Sequence, residues 1–448
     1  MVSPPPTAED AQINALLDSL GPFGVDLSLH RMYGLLGAMG DPQRRVPIIH
    51  VAGSNGKGSV CAYLASVLTQ AGYRVGRYTS PHLVSWRERI EVNGRAIAAL
   101  DLRQALERVM ARIDGSQPSP TQFEVFTAVA WQYFADSAVD VAVMEVGLGG
   151  RLDATNVVSD PLVTILTSLS REHWQQLGPT LADIAGEKAG ILKPGCPAVI
   201  GPLPPEAEAV VKQQLQHLGC PVWWPAPALR QGEGMACFTL EDDTITYPLP
   251  LLGDHQLVNS ALAIAALHLL RQRGWRITDQ AIQRGMALAQ WPGRLQWVEW
   301  LDANHQPLPL LLDGAHNPGA ALELRRYVDQ WWAQRSGRTQ PTQWLIGMLA
   351  TKDHEDILTA LLRPGDSLYL VPVAGNQSAD PFALVAIGRK LCPQLHHCRA
   401  YKDLAAGLAA IIEEPGPIKI LCGSLYLIGD FLASQRPLPI STYETPTE

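Results

Sequence analysis

Lys57 lies in the stretch HVAGSNGKGS, residues 50–59, which overlaps the end of the apolar run VPIIHV. Glycines on both sides of a lysine, closing on Ser59, suit a polyphosphate ligand. Several backbone N–H groups must converge on such a ligand, and a glycine-rich turn presents them without side chains in the way; a following helix N-terminus adds partial positive charge. Asn55, Gly56 and Gly58 would frame the phosphates, Lys57 would reach the terminal ones, and the Ser59 hydroxyl would ligate Mg²⁺. The strict pattern GxxxxGK[ST] is broken twice, by Val51 in place of the first glycine and by Gly58 between Lys57 and Ser59. An ordinary glycine-rich turn between strand and helix is the competing reading of these residues alone.

A metal-bound nucleotide also needs hard oxygen ligands, which parallel sheets offer at the C-terminal ends of strands beside the phosphate turn. Glu145 closes VDVAVME in this way, Ser80 closes YRVGRYTS, and His173 follows LVTILTSL. Each has a plainer reading: a solvated carboxylate, a turn hydroxyl before Pro81, and a structural histidine.

The elements that must position these groups can be read from periodicity. A strand over Val46–Val51 leads into the turn. Val60, Leu64, Val67, Leu68 and Ala71 recur at helical spacing and Gly72 supplies a stop, after which YRVGRYTS resumes as a strand. RERIEVNGRAI alternates around Asn93-Gly94, a two-residue hairpin turn. A helix is expected over Leu102–Ile113, and Thr121 with Glu124 forms a capping box for another over Gln122–Ala135. VDVAVMEVGLGG and LVTILTSL read as buried strands, TLADIAGEKAGI and HQLVNSALAIAALHLLRQRG as helices. This alternation implies an α/β fold with a parallel, doubly wound sheet. The pattern breaks between residues 291 and 309, at WPGR and DANHQPLP, and a second βα series follows in LPLLLDGAHNP, WLIGMLATKD, DSLYLVPV and IKILCGSLYLIG. The expected division is a nucleotide-binding domain over 1–297, a smaller α/β domain over 298–438 and a polar tail over 439–448.

Composition narrows the function. The 448 residues exceed one ordinary core, and 47% hydrophobic with 17% charged residues is a globular composition. A net charge of −8 argues against nucleic acid as a partner. The seven cysteines are scattered without a CxxC pair, so neither a disulfide framework nor a zinc site is indicated, and no run is long enough to span a membrane. A soluble, cytoplasmic protein is expected, and a monomer, since no heptad pattern suggests otherwise.

Taken together, the chain resembles the folylpolyglutamate synthase and dihydrofolate synthase family within the Mur ligase superfamily. The matching stretches are DLSLHR (26–31), HVAGSNGKGS, TSPHL (79–83), ERIEVNG (88–94), TQFE (121–124), MEVGLGGRLDATN (144–156), IAGEKAGILKPG (184–195), GDHQLVNSALA (253–263), WPGR (291–294), DGAHNP (313–318) and CGSLYLIG (422–429), in family order along nearly the whole chain. The resemblance implies a P-loop nucleotide-binding domain followed by a smaller Rossmann-like domain. It implies ATP on Asn55, Gly56, Lys57, Gly58 and Ser59, with Asn259, Arg294, Asp313 and His316 completing the nucleotide site. Ser80 and Glu145 would hold one Mg²⁺ and His173 a second, with allowance for a monovalent cation. Lys188 would be carboxylated to a carbamate, where composition alone favours an exposed helix residue. Asp26, Ser28, Arg31, Thr121, Gln122, Phe123, Glu124, Leu152, Asp153 and Ala154 would meet the pterin. One departure stands out: Glu172 precedes His173 where the family usually has Asp.

The activity so implied is ATP-dependent addition of L-glutamate to dihydropteroate, reduced folates or both through an acyl phosphate, with Lys57, Lys188, His173 and Arg294 as the catalytic set. Two other readings compete. A UDP-muramoyl-type peptide ligase would carry a further domain before the phosphate turn, and the roughly fifty residues there fall short of the ~60 of a marginal domain. A non-catalytic nucleotide switch would bind nucleotide without turnover dependent on an amino acid.

Overall fold

The apolar run before the phosphate turn becomes a five-residue strand, Ile48–Ala52, buried throughout. It lies between two parallel neighbours, Val141–Glu145 and Val163–Leu166, with Ile49 opposite Val143 on one side and Val163 on the other. A central parallel strand is covered on both faces, which explains a continuous apolar run in place of alternation. The computed structural model describes residues 8–20, 28–116, 118–240, 243–301, 306–337, 340–414, 418–435 and 438–439. Asp26 and all but the first residue of the expected polar tail lie outside them.

The described chain divides into two compact units, one within residues 5–250 and 255–290, the other formed by 251–254 and the residues from 291 on. In the first, eight strands run across the sheet in the order Arg95–Ala96, Ile90–Val92, Val75–Tyr78, Val141–Glu145, Ile48–Ala52, Val163–Leu166, Ala198–Ile200 and Val222–Trp223. Pairing is parallel except at the hairpin edge. There Asn93 and Gly94 both have positive φ, 49° and 70°, as a type I′ turn requires.

Helix Lys57–Gln70 follows the turn. It ends in a Schellman motif: Gly72, at φ 92°, donates to the Thr69 carbonyl and Tyr73 to that of Leu68, both at 3.1 Å. Helix Asp279–Leu288 crosses it closely, since a Cβ on Gly285 would stand 2.3 Å from Val67 Cα. Ile48, Tyr78, Ala142 and Met144 pack with Phe126 and Trp131 of helix Gln122–Asp136. Both capping-box bonds of that helix are present, Glu124 N–H to Thr121 Oγ1 at 3.2 Å and Thr121 N–H to Glu124 Oε2 at 2.7 Å.

One stretch departs from the βα alternation. Leu229–Arg230, Met235–Leu240 and Asp243–Pro248 form a separate antiparallel sheet before helix His255–Gln272. In its middle strand Ala236, Phe238 and Leu240 are buried and the residues between them are not, the period of a sheet with one wet face.

The second unit holds a seven-stranded sheet in the order His397–Ala400, Ser367–Leu370, Gln343–Ile346, Lys419–Cys422, Pro307–Asp313, Gln296–Leu301 and Leu438–Pro439. Its first five strands are parallel and the last two junctions antiparallel. Both units are thus α/β with dominantly parallel sheets. Among the described residues no helix is long and apolar enough to cross a membrane.

Candidate active site

The turn after Ile48–Ala52 is held open by its neighbours. Ser54 N–H donates to Ser168 O at 2.7 Å and Asn55 N–H to Ser168 Oγ at 3.1 Å, while Thr167 Oγ1 donates back to Asn55 O at 2.6 Å. The two glycines have no room for a side chain: Gly53, at φ 145°, would put a Cβ 2.0 Å from Thr167 Oγ1, and Gly56, at φ 89°, would put one 2.4 Å from Asn259 Oδ1. No described side chain caps the start of helix Lys57–Gln70, so its first N–H groups point into this turn with the dipole behind them. Gln256 ties the sector together, donating to Ser59 Oγ at 3.2 Å and accepting from Asn259 Nδ2 at 3.1 Å and from Tyr63 Oη at 3.3 Å. Gln256 is not singled out by sequence spacing; its one signal is an amide three residues before Asn259 in a mostly apolar helix.

Two lysines meet at one carbonyl. Lys57 Nζ donates to Gly53 O at 2.8 Å and to Ser54 O at 3.1 Å, and Lys188 Nζ reaches the same Gly53 O at 3.0 Å. Lys188, expected from composition to be exposed, is 3% exposed and pairs with the buried Glu172 at 2.8 Å. Burial pushes the Lys188 amine below its ordinary range, with Glu172 opposing and Lys57 adding to the shift. Burial would raise the Glu172 carboxyl, but the charges of Lys188, Lys57 and His173 hold it well below the usual carboxylate range. Glu172, one methylene longer than Asp, thereby reaches a lysine on helix Leu181–Ala189.

Glu145 ends its strand buried and accepts from Ser80 N–H at 3.2 Å, which joins two of the three expected metal ligands. His173 is exposed, at φ 47°, at the start of the short helix Trp174–Leu177. Among the described residues no three His, Cys, Asp or Glu side chains are placed to hold a metal by themselves. A carboxylate and a hydroxyl are hard oxygen donors, and such a set fits a divalent cation that takes its remaining ligands from water and substrate phosphates.

Of the residues expected around a pterin, described ones from three stretches meet at the N-terminal end of helix Gln122–Asp136. Arg31 makes a two-point ion pair with Glu124, Nε to Oε2 and Nη2 to Oε1, each 3.1 Å. Ser28 Oγ accepts from His30 N–H at the start of the helix that carries Arg31. The Phe123 ring fills the place of a side chain on Gly147, where a Cβ would stand 2.4 Å from Cζ. Helix start and loop 147–155 therefore meet. Gln122 is 4% exposed, and its Oε1 has no hydrogen-bond partner among the described residues. Asp153 is spent on its own loop, accepting from the N–H groups of Gly147, Leu148 and Thr155 and from Thr155 Oγ1. Its flanking residues Leu152 and Ala154 are half-buried and buried. Behind the loop the buried His50 bonds Thr155 Oγ1 at 2.8 Å, a contact that sequence spacing does not reveal.

In the second unit, WPGR and DGAHNP clasp each other. Gly314 N–H donates to Gly293 O at 2.8 Å, and Arg294 Nη1 to Gly314 O at 3.3 Å. Asp313 accepts from Leu295 N–H at 2.8 Å and Ala315 N–H at 2.9 Å, and burial raises its carboxyl against the pull of Arg294. His316 Nδ1 contacts Gly314 O at 2.8 Å, and Asn317 caps helix Pro318–Ser336.

Both units have counterparts among known proteins. Residues 51–267 match the Mur ligase middle domain and residues 296–434 the dihydrofolate synthetase C-terminal domain. Over 353 residues, 74% of this chain and 80% of the relative, the sequence is 38% identical to the dihydrofolate synthase/folylpolyglutamate synthase of Bacillus subtilis. The folylpolyglutamate synthase of Mycobacterium tuberculosis complexed with ADP and AMPPCP superposes with a TM-score of 0.82 at 29% identity, covering 96% of this chain and 99% of that one. A bifunctional folylpolyglutamate synthase/dihydrofolate synthase with Mn, AMPPNP and L-glutamate bound gives 0.78 at 30% identity, covering 94% and 97%.

Proposed function

The chain belongs to the dihydrofolate synthase/folylpolyglutamate synthase family of ATP-dependent ligases, and from that premise we propose that it adds L-glutamate to dihydropteroate and to reduced folyl(poly)glutamates. Joining a carboxylate to an amine in water is uphill, so the carboxylate needs a leaving group. Attack of the substrate carboxylate on the γ-phosphorus of ATP gives an acyl phosphate and ADP. The α-amine of glutamate then adds to the acyl carbon, and the tetrahedral intermediate expels phosphate.

Catalysis of phosphoryl transfer is mostly positioning and charge neutralisation. In this reading the N–H groups of Asn55 to Ser59 cradle the phosphates while Lys57 and Arg294 carry positive charge to the moving group. Asn259, Asp313 and His316 complete the nucleotide site. Ser80 and Glu145 would hold one divalent cation and His173 a second, Mg²⁺ in the cell; bound there, the cations neutralise phosphate oxygens, a task a monovalent cation would share. A carbamate on Lys188 needs the neutral amine, which burial favours. Its negative charge beside Glu172 would in turn need the positive charge of Lys57 and of a cation at His173. Arg31, Thr121, Gln122, Phe123, Glu124 and Leu152 to Ala154, with Ser28, would receive the pterin, Asp153 by shaping its loop. The working form in this reading is a cytoplasmic monomer.

The observation that carries the reading is the phosphate turn, where a bend bounded by Gly53 and Gly56, an uncapped helix start and Lys57 converge. The test incubates the protein with ATP, Mg²⁺ and glutamate, offering dihydropteroate or tetrahydrofolate separately, and follows phosphate release with the mass of the product. Glutamate-dependent release with both acceptors is expected. Nucleotide binding without release in either mixture would leave a switch.

A further inference from the structure

Cys196 and Cys220 precede two neighbouring parallel strands, Ala198–Ile200 and Val222–Trp223, and have no part in the ligase reading. Ala198 pairs with Val222 and Val199 with Trp223. The same offset continues backwards: Ala198 N–H donates to Pro221 O at 2.8 Å and Gly195 N–H to Leu218 O at 2.9 Å. Cys196 therefore stands level with Cys220. Neighbouring strands lie about 4.8 Å apart, inside the roughly 4.4–6.8 Å that separates the Cα atoms of a disulfide.

A second contact places the Cys220 thiol on the turn that carries Cys196. The chain enters its strand through the turn Lys193-Pro194-Gly195-Cys196, with Gly195 at φ 67° and Cys196 N–H donating to Lys193 O at 3.1 Å. Cys220 Sγ donates to that same carbonyl at 3.2 Å. Both cysteines are half-buried, whereas Cys61, Cys392, Cys398 and Cys422 are buried and Cys237 lies on the separate antiparallel sheet.

We propose that Cys196 and Cys220 form a dithiol modification site whose reactant is a small-molecule disulfide, which the pair reduces while closing into an intramolecular disulfide. One cysteine thiolate attacks a sulfur of the reactant and expels a thiolate. The second cysteine, having lost its proton, attacks the mixed disulfide at the protein sulfur and expels the other. Two cysteine thiols are oxidised, one disulfide becomes two thiols, and the two protons end on the leaving groups. The bond clasps helix Pro205–Leu218 between its flanking strands. It lies at the N-terminal ends of its strands, the opposite edge of the parallel sheet from the phosphate turn, which follows the C-terminal end of Ile48–Ala52.

The test treats the full chain with oxidised glutathione, followed by alkylation, digestion without reductant and mass spectrometry. Burial raises both thiols, with Arg273 and Lys193 working against it at Cys196, so the reaction is run at mildly alkaline pH. The expected result is loss of two alkylatable thiols, a cross-linked peptide joining Cys196 to Cys220, no glutathione retained at either, and recovery on adding a thiol reductant. Cys196→Ser and Cys220→Ser should each retain one glutathione on the remaining cysteine. Wild-type protein that keeps glutathione on both cysteines, leaves both unreacted, or cross-links either to another cysteine overturns the proposal.

Discussion

Asn259 Oδ1 occupies the space beside Gly56, 2.4 Å from where a Cβ would stand. Gly56 also has φ 89°, so an alanine there meets both backbone strain and a buried amide. Gly56→Ala is expected to cost about 1–3 kcal/mol and to raise the KM for ATP. Adding Asn259→Ala relieves the clash and leaves the strain. A double-mutant cycle read by urea unfolding should therefore show a coupling of at least about 0.5 kcal/mol, and strict additivity would mean that the two residues do not compete for this space.

Lys57→Ala should abolish glutamate-dependent ADP release, by about a thousandfold or more, with the unfolding midpoint little changed. The Gly53 carbonyl keeps its bond from Lys188, and the loss is confined to the 3.1 Å bond that Lys57 gives the Ser54 carbonyl. Turnover within tenfold of wild type would remove Lys57 from the phosphoryl-transfer step.

Much of this architecture is written in local spacing. The turn at residues 53–56, the capping box of Thr121 and Glu124, the Asn93-Gly94 hairpin and the stop at Gly72 each follow from residues within one turn of each other, and local rules suffice to find them. Partnerships between distant stretches are not legible in this way. Nothing near Phe123 announces that its ring fills the place of a side chain on Gly147, and nothing near Glu172 announces Lys188. Composition even favoured the opposite for Lys188, because a lysine is rarely buried unless a partner elsewhere in the chain compensates its charge. The antiparallel sheet over residues 229–248 is hidden in the βα series for a related reason: Leu229–Arg230 is too short to carry a period, and Met235–Leu240 has apolar Met235 and Cys237 on its wetter face, so its sequence does not alternate although its burial does.

His50 ties stability to pH. Burial, with Lys193 adding to it, lowers its imidazole from 6.5 to about 3. Between those values the unfolded chain binds a proton that the folded chain refuses, so stability falls as pH falls through the window, by at most about 1.4 kcal/mol per pH unit from this group. His50→Gln keeps a polar partner for Thr155 Oγ1 and removes the titration. Its unfolding free energy, followed by urea across the window, should fall less steeply than that of wild type. Parallel slopes would mean that His50 does not stay neutral in the fold.

Asp366 organises the second unit at the end of its sheet remote from Asp313. It precedes strand Ser367–Leu370, whereas Asp313 closes Pro307–Asp313, and the two strands run in the same direction. Its carboxylate accepts from Arg325 Nη1 at 2.8 Å, Trp344 Nε1 at 3.0 Å, Thr342 N–H at 2.9 Å and Arg363 N–H at 3.0 Å. Arg325 is itself buried, so Asp366→Ala leaves a guanidinium inside the protein held by the half-buried Asp329 and the Leu361 carbonyl, along with stranded N–H groups. Breaking a buried pair from one side costs about 3–5 kcal/mol, and Asp366→Asn, which keeps one acceptor oxygen, should cost less. The measurement is the fall in urea midpoint, with turnover assayed well below it. Because the damage sits at the far end of the sheet from Asp313, kcat per folded molecule should hold. A large loss of kcat with an unchanged midpoint would place Asp366 in the catalytic machinery.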